Sequence, residues 1–127
     1  MYSSNFYLIT GLASLTYTLF AIANYYTLTG VNLISSPDAK QMIKKGKFDY
    51  IIDVRTKLER TNLGYYPGSI HIPVTQFSMN KFSKIPKDSS VLIYCNTGQR
   101  ARRAAELMTQ YGYSKVYYIA GFYKSLM

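Results

Sequence analysis

The side chains best suited to covalent chemistry lie in the stretch "YCNTGQRARRAAELM", residues 94–108. Cys95 is the only cysteine of the 127 residues, so no disulfide within the chain can occupy it. Four residues separate it from Arg100, whose charge would lower the pKa of a nearby thiol and make the nucleophilic thiolate more abundant. The competing interpretation is that Cys95 is a small buried hydrophobe at a strand end. Gly98, Arg100 and a helix start favour the reactive interpretation.

The residues after Cys95 leave an apolar strand and enter a helix. Several backbone N–H groups at such a junction have no acceptor within the helix and can converge on one point. Gly98 permits the positive φ that a tight cradle of this kind often needs. Because the helix N-terminus adds positive potential, a thiolate, a persulfide or an oxyanion would be stabilised there.

Three apolar segments are predicted to be buried parallel strands, and they are "FDYIIDVR", "SSVLIYC" and "KVYYIAG". Helical spacing is found in "GQRARRAAELMTQYG", with Gly112 as its stop. A further helix is predicted from about Pro37 to Lys45, with Ser36 as its N-cap and Gly46 as its end. Strands that alternate with helices indicate a small α/β domain on a parallel sheet, in which ligands bind beyond the carboxyl ends of the strands.

The N-terminal segment has a different composition. No charged side chain occurs in residues 1–37, and residues 6–28 are mostly apolar. A helix of about 20 such residues can cross a bilayer. We therefore predict a transmembrane or signal-anchor helix over residues 1–30 and a folded domain over residues 31–127. A cleaved signal peptide and a buried core helix are the alternatives.

The charge distribution bears on topology and on partners. The formal net charge is +9, and every basic residue follows the apolar segment. Basic flanks favour the cytoplasmic side, so the sequence predicts a single-pass membrane protein with its catalytic domain in the cytoplasm. No nucleic-acid recognition motif accompanies the basic residues, so no nucleic-acid partner is expected. The only histidine, His71, is expected to be structural.

Two ordered motifs resemble the single-domain rhodaneses, a family of rhodanese-like sulfurtransferases. The first is "YIIDVRTKLERTNLGYYPGSIHIP" and the second is "VLIYCNTGQRARRAAELMTQYGYSKVYYIAGF". The resemblance implies that Cys95 accepts sulfur and that Arg100 contacts the anionic donor. It implies supporting roles for Asp53, Arg55 and Glu59. The residues that it implies for binding substrate are Asn96, Thr97, Gly98, Gln99 and Ala101.

The activity implied by this resemblance is transfer of a sulfane sulfur through a persulfide on Cys95. A small anionic donor such as thiosulfate would load the sulfur, a thiol or cyanide would remove it, and no metal or organic cofactor is implied. Phosphatases of the same superfamily have a longer loop between cysteine and arginine, so the four intervening residues favour sulfur transfer. A membrane-tethered module without turnover is the alternative, and a phosphatase or arsenate reductase is the third. The family often has Ser or Thr where this chain has Ala101, and Gly-Gly where it has Ala120-Gly121.

Overall fold

The structure is a computed structural model that describes residues 10–20 and 31–127. Residues 10–20 are helical, and we refer to them as α1. All side chains of α1 are exposed, including those of Leu12 and Leu15. The remainder of the predicted N-terminal span, residues 1–9 and 21–30, lies outside the described residues.

The prediction of a membrane-spanning helix is corrected by this structure. Among residues 10–20 and 31–127, no helix combines the length and the apolar character that crossing a bilayer requires. The predicted single-pass membrane localisation is therefore wrong. The boundary between residues 30 and 31 stays a prediction.

In the part of the chain that the structure describes, five parallel strands form a single sheet, and they are β1 Val31–Leu33, β2 Tyr50–Asp53, β3 Ile70–His71, β4 Ser90–Tyr94 and β5 Lys115–Tyr118. Their spatial order is β1-β5-β4-β2-β3. The predicted parallel-sheet α/β fold is thus confirmed. β4 lies at the centre, paired with β5 on one side and β2 on the other.

Helices cover both faces of the sheet. The α-helices are α2 Ser36–Lys44, α3 Lys57–Leu63, α4 Met79–Phe82 and α5 Gln99–Gln110, and short 3-10 helices span Val74–Gln76 and Tyr123–Leu126. The helix α5 follows the predicted boundaries closely. The N-cap of α2 is Ser35, whose hydroxyl accepts a hydrogen bond from the Asp38 N–H, so the prediction of Ser36 as the cap is off by one residue.

Side chains of β4 alternate between two buried clusters, as the period of a strand requires. Val91 and Ile93 belong to the cluster beneath α5, whereas Leu92 and Tyr94 belong to the cluster on the α2 side. All four side chains are 0% exposed. Burial on both faces explains why the strand has a continuous apolar sequence. The packed side chains also fix the end of the strand, next to Cys95.

Candidate active site

Cys95 follows the last residue of β4, at the carboxyl edge of the sheet. Its side chain is 0% exposed. The Gly98 N–H donates a hydrogen bond to Cys95 Sγ over 3.0 Å. A backbone donor at the start of a helix stabilises negative charge on the sulfur, which is the property that a nucleophilic thiolate and a persulfide both need.

Gly98 is the N-cap of α5 and has φ 98° and ψ −15°, a left-handed conformation. A Cβ added there would lie 2.9 Å from the Cα of Ala120 and 3.3 Å from the Ile119 carbonyl oxygen. Both contacts are with backbone atoms, which cannot turn away as a flexible side chain can. Glycine is therefore required here for its backbone angle and for the close approach of the segment after β5.

Glu59 binds two side chains of the segment 95–100, which we refer to as the cysteine loop. Its Oε1 accepts a hydrogen bond from Arg100 Nη1 over 2.6 Å, and its Oε2 accepts one from Arg100 Nη2 over 2.9 Å. Asn96 Nδ2 also donates to Oε2, over 2.7 Å. The hydrogen bonds from Arg100, with smaller contributions from Thr56, lower the pKa of Glu59 to about 2. Glu59 also raises the pKa of Arg100, so both groups are ionised at neutral pH.

The start of α3 fixes the position of Glu59. Thr56 is the N-cap of α3, and its Oγ1 accepts a hydrogen bond from the Glu59 N–H over 3.1 Å. In return, Glu59 Oε1 accepts a hydrogen bond from the Thr56 N–H over 3.1 Å. The sequence "TKLE" is a capping box, a signal by which α3 could have been found from the sequence.

A second arginine–carboxylate pair, Asp53 and Arg55, lies at the end of β2. Asp53 Oδ1 accepts from Arg55 Nε over 2.9 Å, Oδ2 accepts from Nη2 over 2.8 Å, and both side chains are 0% exposed. Arg55 Nη2 also donates to the Gly64 carbonyl oxygen over 2.6 Å. Burial opposes ionisation of Asp53, but the hydrogen bonds and charge of Arg55, with Arg60, outweigh it and lower the carboxyl pKa.

Four contacts around this buried pair involve residues that sequence reasoning did not assign to the site. Arg60 Nη1 donates to Asp53 Oδ2 over 3.1 Å and to Ser69 Oγ over 3.0 Å. The guanidinium of Arg55 lies 5.3 Å from the ring centroid of Tyr94, within the range of a cation–π contact. His71 Nε2 is hydrogen bonded to the Arg55 carbonyl oxygen over 2.7 Å, a contact that agrees with the structural role expected for it.

The other residues expected to bind substrate are placed differently from one another. Thr97 and Gln99 are exposed, so their side chains border the surface above Cys95. Ala101 is 0% exposed and packs in the same buried cluster as Cys95. Its methyl group therefore fills the core beneath α5. Among the described residues, no group of three or more His, Cys, Asp or Glu side chains could hold a metal ion.

Comparison with known proteins shows the family to which the chain belongs. A family profile described as "Rhodanese-like domain" matches residues 35–127. The chain belongs to the rhodanese-like family. A sulfurtransferase of Allochromatium vinosum is 32% identical over 91 residues, which cover 72% of this chain and 83% of that protein. The human thiosulfate:glutathione sulfurtransferase is 26% identical over 110 residues, with 76% of this chain and 94% of that protein covered.

Solved structures of rhodanese-like proteins share the fold. A rhodanese-related protein from Thermoplasma volcanium superposes with a TM-score of 0.63 and 25% identity, over 75% of this chain and 89% of that one. The parallel-sheet fold described above is therefore shared with other rhodanese-like proteins.

Proposed function

We propose that the protein transfers a sulfane sulfur from a donor such as thiosulfate to a thiol, through a persulfide on Cys95. The observation that carries this proposal is the hydrogen bond from the Gly98 N–H to Cys95 Sγ at the start of α5. The same donor could hold the outer sulfur of a persulfide. The names of relatives such as the sulfurtransferase of Allochromatium vinosum support the same class of reaction.

The first half-reaction loads sulfur on the enzyme. The Cys95 thiolate attacks the outer sulfur of thiosulfate, and a new bond forms between Sγ and that sulfur. The original sulfur–sulfur bond breaks, and its electron pair leaves with sulfite. The negative charge that develops on the transferred sulfur is stabilised by the N–H groups at the start of α5.

The second half-reaction unloads the sulfur. The thiolate of an acceptor attacks the outer sulfur of the Cys95 persulfide and takes it as a new persulfide. The bond between Sγ and the outer sulfur breaks, and its electron pair restores the Cys95 thiolate. Cyanide can replace the thiol and leaves as thiocyanate. Neither half-reaction needs an external oxidant or reductant.

The supporting side chains have separate roles in this proposal. Glu59 fixes Arg100 and Asn96 at the side of the loop, through the three hydrogen bonds to its carboxylate. Asp53 and Arg55 hold the neighbouring strand end from within the core. These residues keep the loop in one geometry while sulfur arrives and leaves.

Intact-protein mass spectrometry of the full chain tests the proposal. After brief exposure to thiosulfate, we expect a gain of one sulfur atom, and cyanide should remove it. The Cys95→Ser variant should keep the circular dichroism spectrum of the wild type and gain no sulfur. Sulfur gained equally by the variant would overturn the proposal. A wild-type chain that gains no sulfur from any donor would direct attention to a binding module without turnover, and then to a phosphatase.

A further inference from the structure

Arg100, the charged residue at the end of the cysteine loop, is paired with a carboxylate. Asn96, Thr97, Gly98 and Gln99, between the nucleophile and Arg100, carry no charge. Both terminal nitrogens of Arg100 are hydrogen bonded to the carboxylate of Glu59. The cysteine loop therefore presents backbone N–H groups but no unneutralised cation to an incoming donor.

We propose that Glu59 determines the choice of sulfur donor, and that the site prefers an organic persulfide over a compact dianion such as thiosulfate. This inference rests on the proposed sulfur transfer and specifies its donor. Glu59 acts by neutralising Arg100 and by occupying the nitrogens that an anionic donor would otherwise bind. It is a specificity-determining residue that touches the loop and takes no part in bond making.

The charge balance of the two reactions differs. When thiosulfate reacts with the Cys95 thiolate, three negative charges come together in the loop. An ionised organic persulfide brings the total to two, and a protonated one brings it to one. In both cases the Sγ–sulfur bond forms and the donor sulfur–sulfur bond breaks, with the electron pair leaving on sulfite or on a thiolate. Each additional charge beside Glu59 raises the barrier, because the Arg100 charge is already compensated.

Two other arginines of α3 and α5 are also engaged. Arg60 is bound to Asp53 Oδ2 and to Ser69. Arg102 is paired with Glu106 one turn along α5, over 3.0 Å. The pKa of Arg100 is raised chiefly by its hydrogen bonds to Glu59, with a smaller contribution from Cys95. Neutralising Arg100 therefore has a direct effect at the sulfur.

The burial of the nucleophile acts in the same direction. Cys95 is 0% exposed, whereas the side chains of Arg100 and Glu59 are 32% and 24% exposed. In thiosulfate, the tetrahedral sulfonate group is bonded directly to the sulfur that must reach Sγ. In an organic persulfide, a divalent sulfur and a narrow carbon chain occupy that place. The persulfide can thus deliver its outer sulfur to a recessed nucleophile without bringing a second anionic centre against Glu59.

Rates of sulfur uptake by the full chain test this inference. Second-order rate constants are measured by intact mass for two donors, thiosulfate and cysteine persulfide, with the wild type and Glu59→Gln. The glutamine keeps an acceptor for Arg100 and removes the charge. We expect the thiosulfate rate constant to rise about tenfold, which corresponds to about 1.4 kcal/mol. The persulfide rate constant should change less than about threefold, because that donor carries one charge fewer.

Glu106→Gln is the matched control, because it removes the same charge from another arginine pair on α5. It should leave the ratio of the two rate constants unchanged. Equal losses with both donors in Glu59→Gln would overturn the inference and reduce Glu59 to a positioning residue. An unchanged ratio in that variant would overturn it as well. If the wild type took sulfur from neither donor, the proposed function itself would fail, which is a distinct outcome.

Discussion

Two arginine–carboxylate pairs support the cysteine loop, and they differ in their access to water. The Asp53–Arg55 pair is 0% exposed on both sides, whereas the Glu59–Arg100 pair has a quarter to a third of its side-chain surface in contact with solvent. Each pair is bidentate, with nitrogen–oxygen distances of 2.6–2.9 Å. The same kind of ion pair thus occurs once in the buried core and once in partial contact with water.

The difference shows how burial divides structure from function. Removing one partner of a buried pair leaves a charge that water cannot reach, so the fold depends on both members. An exposed pair contributes little to stability, because water replaces a lost partner at low cost. A substitution in the Glu59–Arg100 pair can therefore change the charge beside the nucleophile without endangering the fold.

The largest expected effect is on stability, from Arg55→Met. Removing the guanidinium leaves the Asp53 carboxylate in the core with only Arg60 to compensate it. We expect the free energy of unfolding to fall by about 3 kcal/mol. Urea denaturation followed by far-ultraviolet circular dichroism measures the change.

Arg100→Met is the matched control for this prediction, since it breaks the exposed pair with the same side chain. Arg100→Met should lower the free energy of unfolding by no more than about 1 kcal/mol. Similar losses in the two variants would show that burial does not separate the two pairs.

Gly98→Ala is expected to have the second largest effect, and to lower the free energy of unfolding by about 2 kcal/mol or more. The new methyl group would strain a left-handed residue and press on the backbone of Ala120, so the donor to Cys95 Sγ must move. This variant should lose both stability and sulfur uptake. It sharpens the comparison, because it measures how far the loop geometry depends on backbone packing in addition to the two ion pairs.

Gly112→Ala separates strain from crowding. Gly112 has φ 95°, close to that of Gly98, but an added Cβ would meet only the flexible side chain of Lys87 at 3.4 Å. Gly112→Ala should lower the free energy of unfolding by about 1 kcal/mol and leave sulfur uptake intact. If both glycine variants lost the same stability and the same uptake, the contact with Ala120 would have no special role.

The smallest expected effect concerns pH. The pKa of Glu59 is lowered from 4.5 to about 2 in the folded protein. A lowered pKa in the folded state gives stability that is complete above pH 4.5 and is lost as the pH falls towards about 2. The wild type and Glu59→Gln should therefore differ less in free energy of unfolding as the pH falls from 4.5 towards about 2. For a partly exposed pair, we expect the difference to decrease by about 1 kcal/mol. Denaturation series at several pH values measure it, and a difference that stays constant would contradict the assignment.

The central part of the fold could be predicted from the sequence because its signals are local and strong. β4 is an unbroken apolar run, and α5 has an apolar face that ends at a glycine. Continuous burial on both faces of β4 and amphipathic packing of α5 are the physical conditions that produce those patterns. Cys95 could be located for the same reason, since it lies between the two elements.

The edges of the sheet could not be predicted in the same way. Within residues 31–127, β1 and β3 contain three and two residues, and each pairs with one neighbouring strand. Strands this short carry no readable period, and tertiary pairing decides whether they form. The apolar N-terminal segment shows a related limit, because hydropathy alone predicted a membrane helix that the described residues do not contain.

The contacts of the site required the three-dimensional structure. The sequence indicated that Glu59 supports the loop, but its simultaneous hydrogen bonds to Asn96 and Arg100 join residues about 40 positions apart. The placement of Arg60 on Asp53 depends on how α3 packs beside β2. Such distances follow from the packing of whole elements, which no local pattern encodes.

The central place of β4 has a consequence for hydrogen exchange. The strand is paired on both sides, whereas the edge strands can open singly. Backbone amides of residues 91–94 should therefore exchange only through global unfolding, and those of β1 and β3 through smaller local openings. Cys95 directly follows the strand that opens last. Local opening of the edge strands should therefore leave the position of the nucleophile unchanged.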